Sequence, residues 1–481
     1  MKFIYFKFLI ITFHKLTMKC LPTRYTVVIL TSVGLGLLYA HRIHINLTIV
    51  SMVNQTGIEQ NQTGVCSNKT QEEKSQKKNH KGEFTWSNSL QGIILSSFYW
   101  GYLVVMLPSA RLCELCSVKW VFFSGMVLNI IPSLLIPISC EIHYYLVIAM
   151  RILQGFGSGA TIPATSLILA RWVLKSERNT MASLTFSGTT VGMVVGTLVV
   201  GIIDSHLGWK NVYYIIGSAC IPWLFFWVIF TADYPQQARF IKQEELDLLM
   251  SSLEDKQDDK KTVILWKNLF LSKPFWALFM AHGCSNWIGY LLITDMPIYL
   301  HKVHLLRVDF ITNFIAIGGT LSWIYSISFG RTLDYLRQKK NLSQTWAKRT
   351  ATLVTYIPMC GLTIAMAYIG CNWLAGTIIL TSIMALLGGA SCGWLSNHVD
   401  IGPKIAATLM ALTNTAGTTS GILVPMFVGC ILGDGTNMKS WFVIFWVAAG
   451  FILILVVVYA VFGSGEIQNY YIEVELSENN K

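Results

Sequence analysis

Runs of apolar residues recur along almost the whole chain and are separated by short polar breaks. Each run holds about 20 predominantly apolar residues, the length that an α-helix needs to cross the hydrocarbon core of a bilayer. A helix satisfies its own backbone hydrogen bonds, whereas the strands of a membrane barrel show shorter, alternating segments. The pattern predicts an all-α membrane protein with twelve transmembrane helices: 25–53, 90–110, 119–138, 144–170, 180–203, 211–231, 274–299, 310–330, 350–369, 373–397, 405–431 and 441–463.

Two polar breaks are much longer than the others and divide the chain. One separates the first two spans, and the other separates the sixth span from the seventh. Within the second break, the apolar residues of 241–255 have helical spacing, which predicts a short amphipathic surface helix. The division gives these segments: a tail at 1–24, a six-helix bundle at 25–232 that includes the 54–89 loop, a linker at 233–272, a second six-helix bundle at 273–463, and a tail at 464–481.

Composition and charge favour the same class of protein. The chain is 53% hydrophobic and only 13% charged, whereas soluble proteins carry about 25% charged residues. Its net charge of +11 is interpreted as the positive-inside bias of membrane proteins and not as nucleic-acid binding. Residues 1–24 hold five Lys/Arg and no acid, so both termini are expected in the cytoplasm. A signal peptide is the alternative, but lysines interrupt its apolar patch.

The 54–89 loop is then expected to face outward. It carries three N-glycosylation sequons, at Asn54, Asn61 and Asn68, as an external loop does. Cys66, Cys140 and Cys371 lie near the same side. One disulfide between two of them and free structural thiols are the two alternatives.

Two sequence echoes indicate that the halves are duplicates. "ARLCELCSVK" (110–119) matches "GRTLDYLRQK" (330–339), so that Glu114 meets Asp334, and each stretch follows the second span of its half. The glycines at 188, 192 and 196 match Gly417, Gly421 and Pro425 in the fifth span of the other half. Parallel six-helix halves are a known plan of secondary transporters. Glycine at every fourth position lets helix backbones approach closely in lipid.

Four stretches together resemble the anion/cation symporter family of the major facilitator superfamily: "QGIILSSFYWGYLVVMLP" (91–108), "RILQGFGSGATIPA" (151–164), "GWKNVYYIIGS" (208–218) and "NHVDIGPKIAATLM" (397–410). The resemblance runs from about residue 25 to 463. "HRIHINLTIVSMVN" (41–54) is most similar to the type I sodium–phosphate transporter branch, which also handles urate and other organic anions. The resemblance implies two six-helix bundles around a central cavity lined by spans 1, 4, 7 and 10.

The chain departs from the family pattern at positions that matter for ion coupling. Ser158 stands where the glutamate transporters have the acidic residue tied to proton coupling, which argues against proton-driven transport here. His44 stands where sialin and the glutamate transporters have an arginine of the first span, and Arg42 lies two residues earlier, as in the phosphate branch. The first-half motif "PSARLCELCSVK" also lacks its usual glycines.

Two arginines within spans are the predicted anchors for an anion. A charge at mid-span costs about 3 kcal/mol on insertion scales, so it usually faces a cavity or a partner. At 1.5 Å per residue, Arg151 lies about 12 Å and Arg42 roughly 16 Å from the outer ends of their helices. A guanidinium offers a planar fork that suits carboxylate or phosphate. The alternative for Arg151 is a structural pair with a buried acid or with carbonyl groups. The alternative for Arg42 is that its side chain snorkels outward.

Polar neighbours complete the candidate set. The predicted substrate-binding residues beside the arginines are His44, His282, Ser158 and Asn286, with packing roles as the alternative for the histidines. A sodium site is implied only by the resemblance, with Asn46 and Asp295 as candidate oxygen ligands. Sodium or chloride is expected as coupling ion, with no cofactor and no bound metal. The predicted gating residues at the cytoplasmic helix ends are Glu114, Asp334, Arg331, Asp400 and Lys404. In this prediction Asp400 pairs with Lys404, and Asp334 pairs with Arg331 and Arg337. Solvated charged connectors are the alternative.

The sequence therefore predicts a secondary active transporter of small anions such as phosphate or urate, driven by sodium or by membrane potential and chloride. It is expected to act by alternating access as a monomer in the apical plasma membrane. A proton-coupled, sialin-like carrier and a paralogue that has lost transport and acts by interaction are the alternatives. Walker A and HExxH motifs are absent from the sequence, so an enzyme is not expected.

Overall fold

The computed structural model describes residues 22–53, 82–252, 260–306, 308–340, 342–432 and 438–475. These residues form all twelve predicted helices, which confirms the all-α fold. They are α1 Thr23–Met52, α2 Asn88–Leu115, α3 Val118–Ile142, α4 Tyr144–Trp172, α5 Arg178–Leu207, α6 Trp209–Ala219 continued by Ile221–Phe230, α7 Lys273–Tyr290 continued by Leu291–Asp295 and Met296–Lys302, α8 Val308–Lys340, α9 Gln344–Tyr368, α10 Trp373–Leu387, α11 Ala406–Leu432 and α12 Met438–Phe462.

By length and composition alone, ten of the helices in the described part of the chain are long and apolar enough to cross a membrane. The exceptions are α7 and α8. Helix α7 is interrupted by a π-helical turn at Leu291–Asp295, and α8 ends in a basic last turn with Arg337, Lys339 and Lys340. Both still pack among the other helices. The short break between α9 and α10 is made by Gly370, whose φ of 60° is the left-handed conformation that glycine adopts without strain.

The same helix pairs recur in the two halves. Helix α1 packs on α5 in the first half, and α7 packs on α11 in the second. A Cβ on Gly192 would collide with the backbone of Gly36, so the small residues of α5 do let it approach α1 closely. In the second half, Gly417 faces His282 of α7 and Gly421 faces the ring of Tyr290. The matched glycines thus face the equivalent helix in each half, but the neighbours are backbone atoms in the first half and side chains in the second.

The start of α1, the linker and the C-terminal tail lie on one face of the helix bundle. The Glu245 carboxylate of the linker accepts hydrogen bonds from the backbone N–H groups of Thr23 and Arg24, at 2.8 and 3.0 Å. Strand β1 (Lys260–Ile264) pairs antiparallel with β2 (Tyr471–Glu475). We call this side the linker face, and the opposite side, which carries residues 82–87, the loop face.

The linker contains the predicted surface helix, at Gln243–Ser252. Leu249 is fully buried against Leu174, with Ile241 packed beside them. A second short helix, Trp266–Leu271, leads into α7. The two strands were not predicted, because each spans five residues and its partner lies more than 200 residues away.

Cys371 is disulfide-bonded, and its partner lies outside the described residues. Cys140 is a free, buried thiol. The predicted sequons Asn54, Asn61 and Asn68, together with Cys66, lie outside the described residues.

Candidate functional site

A cavity of about 220 Å³ lies between the two halves at the middle of the membrane helices. It is bounded by α1, α2, α4 and α5 from the first half and by α7, α8, α10 and α11 from the second. None of the described residues that line it is Asp, Glu, Lys or Arg. Its polar groups are Tyr39, Tyr102, Ser187, Thr189, Thr190, His282, Ser285, Asn286, Ser322, Ser326, Ser391 and Asn414. The Ser326 hydroxyl has no hydrogen-bond partner, so it is available to a bound molecule.

Arg42 lies beside this cavity, about one turn of α1 closer to the loop face. Its guanidinium donates to the hydroxyls of Tyr99, at 3.2 Å, and of Tyr290 on α7, at 2.9 Å. The rings of Tyr39 and Tyr102, which line the cavity, lie 5.4 and 6.0 Å from the guanidinium carbon. Neutral oxygens and aromatic faces therefore hold the cation, and no described carboxylate pairs with it.

Arg151 is 2% exposed, and its guanidinium carbon lies over the ring of Phe98, 4.9 Å from its centroid. The Arg42 guanidinium lies 5.3 Å from the same centroid, so both cations flank one aromatic ring. Arg151 donates to the Gln154 side chain at 3.0 Å, and its Nε has no partner. The structure brings the two predicted anchors together, but Arg42 is the one in contact with residues of the cavity wall.

Two predicted substrate ligands lie inside the first bundle and away from the cavity wall. Ser158 donates to Asn129 of α3 at 2.9 Å. It follows Arg151 by about two helical turns, and the face that they share points into the bundle. His44 is fully buried against the ring of Tyr213, 4.5 Å away, and both its ring nitrogens lack partners. The expected cavity contacts of Ser158 and His44 are therefore wrong in this conformation.

His282 and Asn286, two of the predicted substrate-binding residues, line the cavity, and their binding of substrate stays a prediction. The Nδ1 atom of His282 lies 3.0 Å from the Thr413 hydroxyl, and the Nε2 atom of His398 lies 2.6 Å from the same oxygen. Thr413 thus joins a cavity histidine to a histidine of the short helix Asn397–Ile401. This bridge was missed, because its members are far apart in sequence and sit within apolar runs.

The two candidate sodium ligands are not brought together at the cavity. Asn46 is exposed on α1. Asp295 is 4% exposed, lies in the π-helical turn of α7 and accepts a hydrogen bond from Thr294 at 2.5 Å. Neither residue lines the cavity, and the sodium site stays a prediction.

On the linker face, two acidic residues cap helices of the opposite half. Glu114, near the end of α2, accepts from the backbone N–H and the hydroxyl of Thr408 in the first turn of α11, at 2.7 and 2.8 Å. Asp334 of α8 accepts from the N–H and hydroxyl of Thr180 in the first turn of α5, at 2.8 and 2.6 Å. A carboxylate at a helix N-terminus also interacts favourably with the helix dipole. The acidic residue of the duplicated motif in each half therefore contacts a helix of the other half.

Asp400 forms the centre of a third contact between the halves. It pairs with Arg178 of α5 at 2.7 Å and with Lys348 of α9 at 3.0 Å, and all three are nearly or fully buried. Lys404 instead pairs with Glu473 of β2 at 2.8 Å. The predicted pairing of Asp400 with Lys404 is therefore wrong.

The partners of these acids were not found from the sequence, since Arg178 and Lys348 resemble ordinary basic residues at helix starts. Asp334 likewise bonds across the halves and not to Arg331, which is exposed. The alternative of solvated connectors is wrong for the carboxylates of Glu114, Asp334 and Asp400. We call the three contacts, Glu114–Thr408, Asp334–Thr180 and Arg178–Asp400–Lys348, the linker-face gate.

The fold, the cavity between the halves and the gate define a membrane transporter. The sequence matches the Major Facilitator Superfamily over residues 32–425, and the chain belongs to that family of transporters, which are not enzymes. It is homologous to human sialin, with 29% identity over 94% of this chain and 91% of sialin. It is also 29% identical to the vesicular glutamate transporter 1 of Xenopus laevis, over 95% of this chain and 78% of that protein. These relatives confirm the predicted resemblance to the anion/cation symporter family, and the sodium–phosphate branch stays a prediction.

Solved structures show the same fold at low identity. The proton:xylose symporter XylE superposes with a TM-score of 0.65 at 14% identity, over 92% of this chain and 97% of XylE. A bacterial homologue of ferroportin in an outward-facing state gives a TM-score of 0.65 at 12% identity, over 92% and 99% of the two chains.

Proposed function

We propose that this transporter carries small anions across the membrane by alternating access. The observation that supports this most is Arg42, a cation that among the described residues is held by tyrosine hydroxyls and aromatic rings, beside a cavity whose described lining residues carry no charge. A buried charge needs a partner, and a guanidinium binds carboxylate or phosphate oxygens through two parallel hydrogen bonds. An anion in the cavity would supply the missing negative charge.

Two barriers enclose the proposed site. On the loop-face side, the Arg42–Tyr290 hydrogen bond crosses from α1 to α7. On the linker-face side, the gate closes the path between the halves. An anion that takes the hydrogen bonds of Arg42 would compete with Tyr290, so that binding changes a contact between the halves. Such a differential contact is what a ligand needs in order to shift a two-state equilibrium.

Arg151 supports the site electrostatically. Its guanidinium contacts the same Phe98 ring as Arg42 and adds a second positive charge without a described acidic partner. The combined field would raise the concentration of anions in the cavity and repel cations. We assign Arg42 the direct contact and Arg151 the electrostatic support.

The coupling ion and the location are part of the proposal. We place the linker face in the cytoplasm, since the basic N-terminal tail follows the positive-inside rule, and the protein in the apical plasma membrane as a monomer. The inward sodium gradient, or membrane potential with chloride, would drive uptake of phosphate, urate or another organic anion. Ser158 in place of an acid supports a mechanism without proton coupling.

One observation favours the proton-coupled alternative. His282 lines the cavity and is joined through Thr413 to His398, next to the gate residue Asp400. A histidine can change its charge near physiological pH. In that mechanism the proton would reside on the histidine pair.

The test is uptake of radiolabelled phosphate, urate and sialate into proteoliposomes, with sodium, proton and voltage gradients imposed one at a time. Sodium- or voltage-dependent uptake supports the proposal, and uptake driven by a proton gradient alone supports the histidine mechanism. Absence of uptake by well-folded protein under every gradient supports the paralogue that acts by interaction.

A further inference from the structure

A second cavity, of about 340 Å³, opens on the linker face and lies directly over the gate. It is distinct from the central cavity, with which it shares no lining residue. Its walls come from both halves and from the C-terminal tail: Lys175 and Arg178, then Arg337, Gln344 and Asp400, then residues 465–467. We call it the gate pocket.

The gate pocket carries more positive than negative charge. Among the described residues, three cationic side chains line it, against the carboxylates of Asp400 and Glu466. Asp400 is already engaged, because it lies between Arg178 and the fully buried Lys348. Because Arg178 shares Asp400 with Lys348, this carboxylate is divided between two cations, and among the described lining residues the cations outnumber the carboxylates.

Arg178 has hydrogen-bonding capacity left over at this position. The side chain is 3% exposed, and only its Nη1 atom donates to Asp400, at 2.7 Å. Its Nε and Nη2 atoms are buried without partners. Leaving such donors unpaired costs free energy, which an acceptor in the pocket would recover. Arg337 fixes the opposite wall by donating to the Lys175 carbonyl at 2.6 Å.

We propose that the gate pocket binds a phosphate-like anion, either a free phosphate or the phosphoryl group of a membrane lipid. Arginine and lysine are the side chains that bind phosphoryl oxygens. The pocket exists as described only while the two halves meet at the linker face, because each half supplies cations to it. A bound anion therefore holds the gate closed and slows return to the state that opens on this side. This regulatory consequence rests on the proposed alternating access, whereas the binding itself does not.

The test is thermal unfolding of the purified full-length protein during titration with inorganic phosphate at constant ionic strength. The titration is done in the Arg42→Gln background, which removes the direct anion contact of the central site, so that the gate pocket is measured. We expect the melting temperature to rise by at least about 2 °C at saturating phosphate. The rise is lost in Arg337→Gln and in Lys175→Gln but kept in Lys339→Gln, which removes one charge from the exposed end of the same helix.

A lipid arm identifies the source of the phosphoryl group. The same variants are reconstituted in phosphatidylcholine vesicles with or without phosphatidylinositol 4-phosphate. Stabilisation by this lipid with the same variant pattern assigns the pocket to a lipid headgroup. A rise that persists in both Arg337→Gln and Lys175→Gln, or no rise with either probe, overturns the proposal. Because no transport is measured, failure here leaves the transport assignment standing, and failure of uptake leaves the pocket standing.

Discussion

The carboxylate of Glu114, near the end of α2, accepts two hydrogen bonds from Thr408 at the start of α11, at 2.7 and 2.8 Å. Asp334 makes the equivalent pair of bonds to Thr180, at 2.8 and 2.6 Å. Each acid lies at the end of the second helix of its half and caps the fifth helix of the other half. The two halves therefore hold each other closed on the linker face through the same contact used twice.

Replacing Glu114 with Ala should open the linker face more often. Hydrogen bonds to a charged group contribute about 1.5–3 kcal/mol each, so the equilibrium should shift at least about tenfold toward the open state. The check is maleimide labelling of the native thiols followed by mass spectrometry. Cys113 is fully buried beside Glu114, and the exposed Cys116 serves as reference. The control is Glu141→Gln, an exposed ion-pair partner on the loop face. Unchanged labelling of Cys113 would contradict the gate.

Replacing Asp400 with Asn should destabilise the protein much more than replacing Lys404 with Gln. The first change leaves Arg178 and Lys348 buried without their counter-charge, which typically costs about 3–5 kcal/mol. The second breaks a partly exposed pair with Glu473, for which about 0–1 kcal/mol is usual. Thermal unfolding of the two variants in the same detergent measures the difference. Equal melting temperatures would show that the buried triad does not hold the halves together.

Replacing Thr413 with Val should disrupt the contact between the cavity and the gate helix. Valine keeps the shape but removes the hydroxyl that His282 and His398 share, and each buried polar group left unpaired costs about 1–3 kcal/mol. We expect a lower maximal uptake rate, with Thr413→Ser close to wild type. Measuring uptake against pH separates the mechanisms, because a changed pH profile in Thr413→Val alone supports the proton-coupled alternative. If Val and Ser variants behave alike, the shared hydroxyl has no role.

Replacing Gly192 with Ala should separate α1 from α5. The added Cβ would meet the backbone of Gly36, and such overpacking costs about 1–3 kcal/mol. Gly201 in the same helix has nothing within 4 Å of a Cβ, so Gly201→Ala is the matched control. We expect a lower melting temperature for Gly192→Ala only. Equal stability of the two variants would argue against close packing at this position.

The helices could be predicted from the sequence, because the apolar pattern of each helix lies within one stretch of chain. The duplication could be predicted because two stretches can be compared by their residues alone. The partners of the gate could not, since they depend on how the chain turns. Asp400 and Lys404 are four residues apart, a spacing that would join them on one helix. However, helix Asn397–Ile401 ends before Gly402, and Pro403 begins a separate turn. The turn sends Lys404 toward Glu473 instead.

The candidate site was found in part for a similar reason. Mid-span arginines are conspicuous in an apolar sequence, so Arg42 and Arg151 were identified. Which of them reaches the cavity depends on the rotation of each helix in its bundle. The cavity hydroxyls, such as Ser326, carry no signal, because serine and threonine occur throughout these helices and commonly bond to their own backbone.

Anion uptake by Arg42 variants tests the central claim most directly. Arg42→Gln removes the charge and the fork, Arg42→Lys keeps only the charge, and Arg239→Gln makes the same change at an exposed linker position. With surface expression and melting temperature matched, we predict uptake reduced at least about a hundredfold in Arg42→Gln, as expected for roughly 3 kcal/mol of lost interaction with a charged partner. Arg42→Lys should be intermediate, and Arg239→Gln unchanged. Wild-type uptake by Arg42→Gln would contradict the assignment of Arg42 as the residue that binds the anion.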